Sequence, residues 1–303
     1  MTSVQVQRLH NLSGHRNSVY TIQRGSEPHF VFSAGGDGMI AKWDLQNPQE
    51  GDLVARLPNS IYALHFLQKE NVLVAGQNFE GIHFLDWSAK KELASLKLGS
   101  AAIFDIQSFG NSLVVASGDG SVTVVDIDTL TVKFKRTHSE KSARTVAINP
   151  ELREAAVGYS DNFIRIFDLE HWQLKREWQA HAKSVFTLIY SPDSAFLLSG
   201  SRDARIKVWD AKADYHQAGE VVAHMYAINH LEFSPDGKHF VTCSLDKSIK
   251  VWRYDDLRLL KVIDKARHAG HGTSVNKLLW TSFDHQLVSA SDDRTLSVWR
   301  LIF

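Results

Sequence analysis

A short apolar tail that ends in an aromatic residue followed by a charged one returns along this chain at nearly constant spacing. It is clearest at Ile206-Lys207-Val208-Trp209-Asp210, and similar tails occur at Ile40-Ala41-Lys42-Trp43-Asp44, Ile164-Arg165-Ile166-Phe167-Asp168, Ile249-Lys250-Val251-Trp252-Arg253 and Leu296-Ser297-Val298-Trp299-Arg300. Weaker copies are His83-Phe84-Leu85-Asp86 and Thr123-Val124-Val125-Asp126. With the aromatic or its stand-in as marker, seven positions emerge at 43, 85, 125, 167, 209, 252 and 299, in steps of 42, 40, 42, 42, 43 and 47 residues. A second column keeps the same phase: His15, His181, His224 and His271 precede their markers by 28 residues and His138 by 29. A fixed period of this size means like supersecondary units stacked on one another, because no single unit can bury its apolar face alone.

Within each repeat, apolar runs of strand length are separated by turn signals. Val185-Phe186-Thr187-Leu188-Ile189-Tyr190, Phe196-Leu197-Leu198-Ser199 and Ile206-Lys207-Val208-Trp209 are such runs, and Ser191-Pro192-Asp193 and Ser234-Pro235-Asp236-Gly237 are such turns. Each repeat therefore holds about four short antiparallel strands. A four-stranded sheet repeated with this period is the blade of a β-propeller.

The repeat resembles that of the WD40 family: Gly14-His15 and Gly270-His271 match its Gly-His element, and Trp43-Asp44 and Trp209-Asp210 its Trp-Asp element. The resemblance covers the whole chain, although repeats two and three lack both the histidine and the tryptophan. It implies an all-β, seven-bladed propeller of four-stranded antiparallel sheets, with residues 1–303 as a single domain. The last tail ends at Phe303, which leaves the seventh repeat without its outermost strand. Residues 4–9 are similar to the closing strand by which this family completes its last blade, and they would cover an otherwise bare edge.

Four repeats set a histidine, a hydroxyl, an aspartate and a tryptophan in fixed phase. The sets are His15, Ser33, Asp37 and Trp43; His181, Ser199, Asp203 and Trp209; His224, Thr242, Asp246 and Trp252; and His271, Ser289, Asp293 and Trp299. Ser, His and Asp together suggest a hydrolase, but the tryptophan argues for structure. A buried indole N–H needs an acceptor, and a hydroxyl can accept it while donating its own proton to imidazole. The aspartate then accepts from the other imidazole nitrogen and fixes its tautomer. A nucleophile would need a single exposed copy and an oxyanion hole. Repeat four keeps His138 and Asp161 but has Val157 and Phe167 in place of the hydroxyl and the indole, and loss of both together is what a two-partner bond predicts. No catalytic residue is assigned.

Cofactors and metals are not expected either. The chain has no phosphate-binding glycine loop, no HExxH and no calcium loop, Gly118-Asp119-Gly120 reads as a hairpin turn, and His268 and His271 alone do not make a zinc site. The single cysteine, Cys243, reads as a buried filler and excludes an internal disulfide. Lys plus Arg equals Asp plus Glu at 34 each, so the whole-molecule field favours neither nucleic acid nor an anionic membrane. With no apolar leader and no long apolar run, the protein is expected in the cytoplasm without a membrane span. Asn11-Leu12-Ser13 is read as a chance sequon.

The resemblance also indicates where a partner would sit. In WD40 proteins the residue five after the histidine points into the channel mouth on the histidine-bearing top face. The corresponding column here is Tyr20, Tyr62, Phe104, Arg144, Phe186, Asn229 and Asn276, with Tyr62 and Phe104 placed by neighbouring sequence. The residue before each aspartate reaches the same rim, adding Arg202, Leu245 and Asp292 beside Gly36, Gly118 and Ser160. Aromatic and arginine side chains are interface hot-spot types; the competing reading is that they only pack one strand on the next. Lys133, Lys135, Arg136 and Lys141 form a basic sector that also reads as a solvated edge strand, and the extra residues at 264–268 read as a loop on the rim. The leading expectation is a non-enzymatic scaffold for a peptide or protein partner, a monomeric propeller within a larger assembly. A nucleic-acid or phosphoinositide reader using the basic sector ranks second, and a channel-mouth enzyme third.

Overall fold

Apolar runs broken by Gly, Asn, Asp and Ser turns give short strands, and consecutive strands pair because the turns between them are tight. The structure, a computed structural model, describes residues 4–303. Its strands form seven four-stranded antiparallel sheets. Blade one runs in chain order through Val19–Arg24, Phe30–Gly35, Met39–Asp44 and Asp52–Arg56. Blade five does so through Val185–Tyr190, Phe196–Ser201, Arg205–Asp210 and His216–Val222.

The seventh blade breaks this order. Val275–Trp280, Leu287–Ser291 and Thr295–Ile302 are joined on the outside by the N-terminal strand Gln5–Ser13. Its register pairs Gln5 with Ile302 and Ser13 with Thr295, and Leu12 is buried against Val288, Leu296 and Val298. The strand runs four residues beyond the expected end at residue 9.

By packing, the chain divides into two compact bodies. One comprises residues through Ala75 with Phe84–Leu93 and Asn229–Phe303, and the other Gly76–His83 with Ala94–Ile228. The first holds blades one, six and seven and the second blades three, four and five, while blade two divides its residues between them.

The second and third strands of a blade are almost wholly buried, as Glu154–Tyr159 and Phe163–Asp168 illustrate. Continuous apolar runs result, because both faces of the sheet are covered by neighbouring blades. In the second body, Val146, Val157 and Phe167 of blade four pack on Val114, Val122 and Val124 of blade three. Fourth strands such as Lys91–Lys97 and Thr131–Thr137 are exposed and carry lysine and arginine, which discourages edge-to-edge pairing.

Candidate functional site

In a blade that carries the set, as in blade one, the histidine precedes the first strand, the hydroxyl lies in the second, the aspartate in the turn after it and the indole near the end of the third. In blade one, Trp43 Nε1 donates to Ser33 Oγ at 2.7 Å, Ser33 Oγ is 2.7 Å from His15 Nε2, and His15 Nδ1 is 3.1 Å from Asp37 Oδ2. Blade five repeats this with Trp209, Ser199, His181 and Asp203 at 2.9, 2.8 and 3.0 Å. Blade seven does so with Trp299, Ser289, His271 and Asp293 at 2.9, 2.8 and 2.9 Å. In blade six, Trp252 Nε1 donates to Thr242 Oγ1 at 2.9 Å, and His224 is buried in the same phase as the other histidines. A hydroxyl that accepts from indole and donates to Nε2 leaves the Nδ1–H for the carboxylate, so each chain of bonds has one consistent set of proton positions.

The aspartates also build the turns that hold them. Asp37, Asp119, Asp161, Asp203, Asp246 and Asp293 each accept the backbone N–H two residues on, at 3.0–3.1 Å. The residue between lies in the left-handed region, as at Gly120 with φ +78° and Ala204 with φ +67°. An Asx-type turn of this kind stabilises that conformation even where the residue is not glycine.

Burial works against the ionised form of Asp203, but the bond from His181, its charge, and the N–H groups of Ala182 and Arg205 prevail and hold the carboxyl at about 2. Asp293 is depressed further in the same way through His271 and Thr295, and Asp37 is lowered through Arg16, His15 and Met39. A carboxylate depressed in the native state adds stability above its unfolded pKa and loses it as pH falls through the native one. Urea midpoints measured from pH 5 down to pH 2 should therefore fall, and Asp203→Asn should start lower at pH 5 and decline less steeply. Parallel profiles would show that Asp203 takes no part in the acid response.

Repeat four shows what fills the place of a missing tetrad. The His138 ring lies 4.6 Å from that of Phe167, and Asp161 pairs instead with Arg165 at 2.8 Å. Arg165 also bonds Glu177 at 2.8 Å and lies over the Tyr159 ring. An apolar contact and an ion-pair network replace the hydroxyl relay.

The rim column has a backbone cause. The first strands of blades one, three, four, five and seven carry a β-bulge near their start, and the ladder skips Tyr20, Phe104, Arg144, Phe186 and Asn276. A bulged residue is left out of the ladder and its side chain is re-aimed. In the second body this brings three of the column together: the Arg144 guanidinium lies 3.9 Å from the centre of the Phe104 ring and 4.8 Å from that of Phe186. All three are partly exposed, and Arg202 is exposed on the neighbouring turn.

In the first body, the Tyr20 and Tyr62 rings lie 4.7 Å apart, tilted by 33°. The two asparagines act as ties between blades. Asn229 Nδ2 donates to Ser274 Oγ and Val275 O at 2.9 and 2.8 Å, and Asn276 Nδ2 donates to Val19 O and Asp292 Oδ1 at 2.9 and 2.8 Å. Leu245 is exposed.

Sequence reasoning missed Phe79. It sits at the turn of blade two, where the repeat has no aspartate to count from, with φ +72° and 62% of its surface exposed. The residues at 264–268, expected as a loop, form the short helix Lys265–His268, capped by the Asp264 side chain, which accepts from Arg267 N.

Two of the four cations of the basic sector are paired. Lys133 lies 2.9 Å from Asp126 and Lys135 2.8 Å from Asp119, both pairs along the fourth-strand edge of blade three. Cys243 is buried, and burial pushes its thiol up. Among the described residues there is no group of three or more His, Cys, Asp or Glu side chains placed to hold a metal ion, and no helix is long and apolar enough to cross a membrane.

The family model for the WD domain, G-beta repeat, matches residues 6–44, 172–210, 217–253 and 264–300, half of the chain. The chain belongs to the WD40-repeat family. The matched segments end on the four repeats that carry the complete tetrads. Among curated proteins, striatin from Rattus norvegicus is 23% identical over 239 residues, covering 70% of this chain and 30% of its own length. Striatin-3 from Homo sapiens is 25% identical over 66% of this chain and 21% of its own length. Protein groucho from Drosophila melanogaster is 25% identical over 67% and 23%. The chain thus spans less than a third of the length of these relatives.

The WD40 beta propeller domain of Doa1 superposes with a TM-score of 0.86 at 16% identity, over 97% of each chain. That likeness shows the fold: an all-β, seven-bladed propeller of four-stranded antiparallel sheets, in which the N-terminal strand supplies the fourth strand of the last blade. WD40 propellers typically act as protein-interaction scaffolds without catalysis.

Proposed function

We propose that this chain works as one propeller domain, a non-enzymatic scaffold that receives a peptide segment of a partner protein at the bulges of blades three to five. The observation that carries the reading is the Arg144 guanidinium held against Phe104 and Phe186 on ladder-skipped positions. Contact with two rings restricts the guanidinium, and a pre-organised guanidinium favours the two-pronged bond that arginine makes with a carboxylate. The aromatic rings beside it can desolvate an apolar side chain of the same segment. A monomeric propeller inside a larger, cytoplasmic assembly fits this role, as does a single buried thiol.

The nucleic-acid or phosphoinositide reading is weakened by the pairing of Lys133 and Lys135, which leaves less charge for phosphate. An enzyme reading has no support in tetrads whose members satisfy one another inside the blade.

The test starts from a partner recovered by affinity purification from the source cell and titrated against purified variants. Phe186→Ala should cost about 2 kcal/mol or more of binding free energy. Arg144→Glu should slow association and weaken its salt dependence. Both should melt near the wild type, because neither residue belongs to a tetrad. Equal binding by both variants, or contacts mapped to the opposite ends of the sheets, would refute the proposal.

A further inference from the structure

We infer that the partner segment is acidic and extended, and that it places a second apolar side chain on the exposed pair Met225 and Tyr226. This rests on the reading that the Arg144 cluster receives the partner. The two places are joined by a short run of backbone bonds within the second body. Arg202 N donates to Ser184 O at 2.9 Å, two residues before Phe186. Ala204 O, two residues after Arg202, accepts from both Ala223 N and His224 N, at 2.9 and 3.2 Å. Met225 and Tyr226 follow directly, between the strands His216–Val222 and Ile228–Phe233.

The same corner is built elsewhere in the chain with other residues at these two positions. The preceding blade makes the same corner, with Ala180 N and His181 N both donating to Asn162 O, and continues with Ala182 and Lys183. The other tetrad repeats continue with Arg16-Asn17 and Gly272-Thr273. Only repeat six puts a large apolar pair there, and the structure leaves Met225 81% and Tyr226 58% exposed. Methionine and tyrosine are enriched in interfaces, and large exposed apolar surface marks a place that another molecule covers.

Charge selects the occupant. Arg202 lies on the run of bonds between the two apolar places and Lys183 directly precedes Ser184; both are exposed, and among the described residues neither enters an ion pair. The aspartate of the same turn, Asp203, is committed to His181. A segment crossing from Phe186 to Met225 therefore meets cations along the way, and carboxylates at its middle are complementary to them. An anionic bilayer also offers negative charge and apolar depth, but it is flat. The partly buried Arg144, close to two aromatic rings, suits a single projecting side chain.

The experiment selects a random dodecapeptide display library on the immobilised wild-type chain. Enriched peptides are then measured by fluorescence anisotropy against wild type, Arg144→Glu and the double variant Met225→Ser/Tyr226→Ser. Thermal melting should show both variants folded, since the altered side chains are partly or fully exposed. Enriched peptides should combine acidic residues with two separated apolar ones, and the double variant should bind them about tenfold more weakly. Replacing the second apolar residue of the peptide by Ser should abolish the difference between wild type and the double variant. Peptides that are weakened by Arg144→Glu but bind the double variant as well as wild type would overturn this inference while leaving the proposed function standing. If no acidic, apolar peptide is enriched, or none responds to Arg144→Glu, both fail. Binding of phosphatidylserine vesicles that is lost in the double variant, without peptide enrichment, would assign the surface to a membrane and overturn the inference as well.

Discussion

A chain lacking residues 1–13 is expected to lose several kcal/mol of stability and to aggregate. The strand Gln5–Ser13 pairs with Thr295–Ile302 from end to end except at a bulge at Leu9, so its removal strips the ladder from the outer edge of the seventh blade. Leu12 is buried in the core shared by blades one and seven, and burial of one such side chain is worth about 1.5–3 kcal/mol. Domains of ordinary stability hold only about 5–15 kcal/mol in total, so this loss with the ladder added approaches the whole margin. The bare strand then offers unpaired N–H and C=O groups to other copies. Calorimetry and light scattering read both effects. An unchanged melting temperature with a monodisperse monomer would show that the N-terminal strand does not close the last blade. Leu12→Ala separates the two contributions, since it empties part of the core and leaves the ladder in place.

The fold was legible because its signals are local and repeated. The indole, hydroxyl, imidazole and carboxylate recur at fixed offsets because each bond joins residues of one blade, so the geometry is written into sequence spacing. Blade two shows the limit. Without an aspartate its turn lost its marker, and exposed Phe79 stayed hidden until the backbone placed it. The rim column could be counted out from the histidine, but counting gives a position and not a neighbour. That Arg144 lies against two rings, while Asn229 and Asn276 are spent on the backbone of adjoining blades, depends on side-chain contacts across sheets that no period encodes. The lysines of blade three make the same point. Their run looked like a basic surface, whereas Asp119 and Asp126 sit where each can pair with one of them.

Trp209→Ala is expected to destabilise by about 3–5 kcal/mol, the range for emptying a large buried aromatic site. Trp209 is buried with Trp178 at its edge, 5.3 Å between ring centres, and lies among Val185, Leu197 and Tyr190. Trp209→Phe keeps most of that volume but withdraws the N–H from Ser199 Oγ, and a buried bond lost from one side costs about 1–3 kcal/mol. Because the same oxygen serves His181, the two substitutions Trp209→Phe and Ser199→Ala act on one network. Their double variant should be less destabilised than the sum of the singles by about 0.5–3 kcal/mol. Urea unfolding of the four chains gives that difference directly. Strict additivity would mean that indole and imidazole do not communicate through the hydroxyl. A hydrolytic activity abolished by Ser199→Ala with no change in stability would return the tetrads to catalysis. Binding of the partner should survive Trp209→Phe, since the indole is buried inside the blade and Arg144, Phe104 and Phe186 are placed by bulges on other strands.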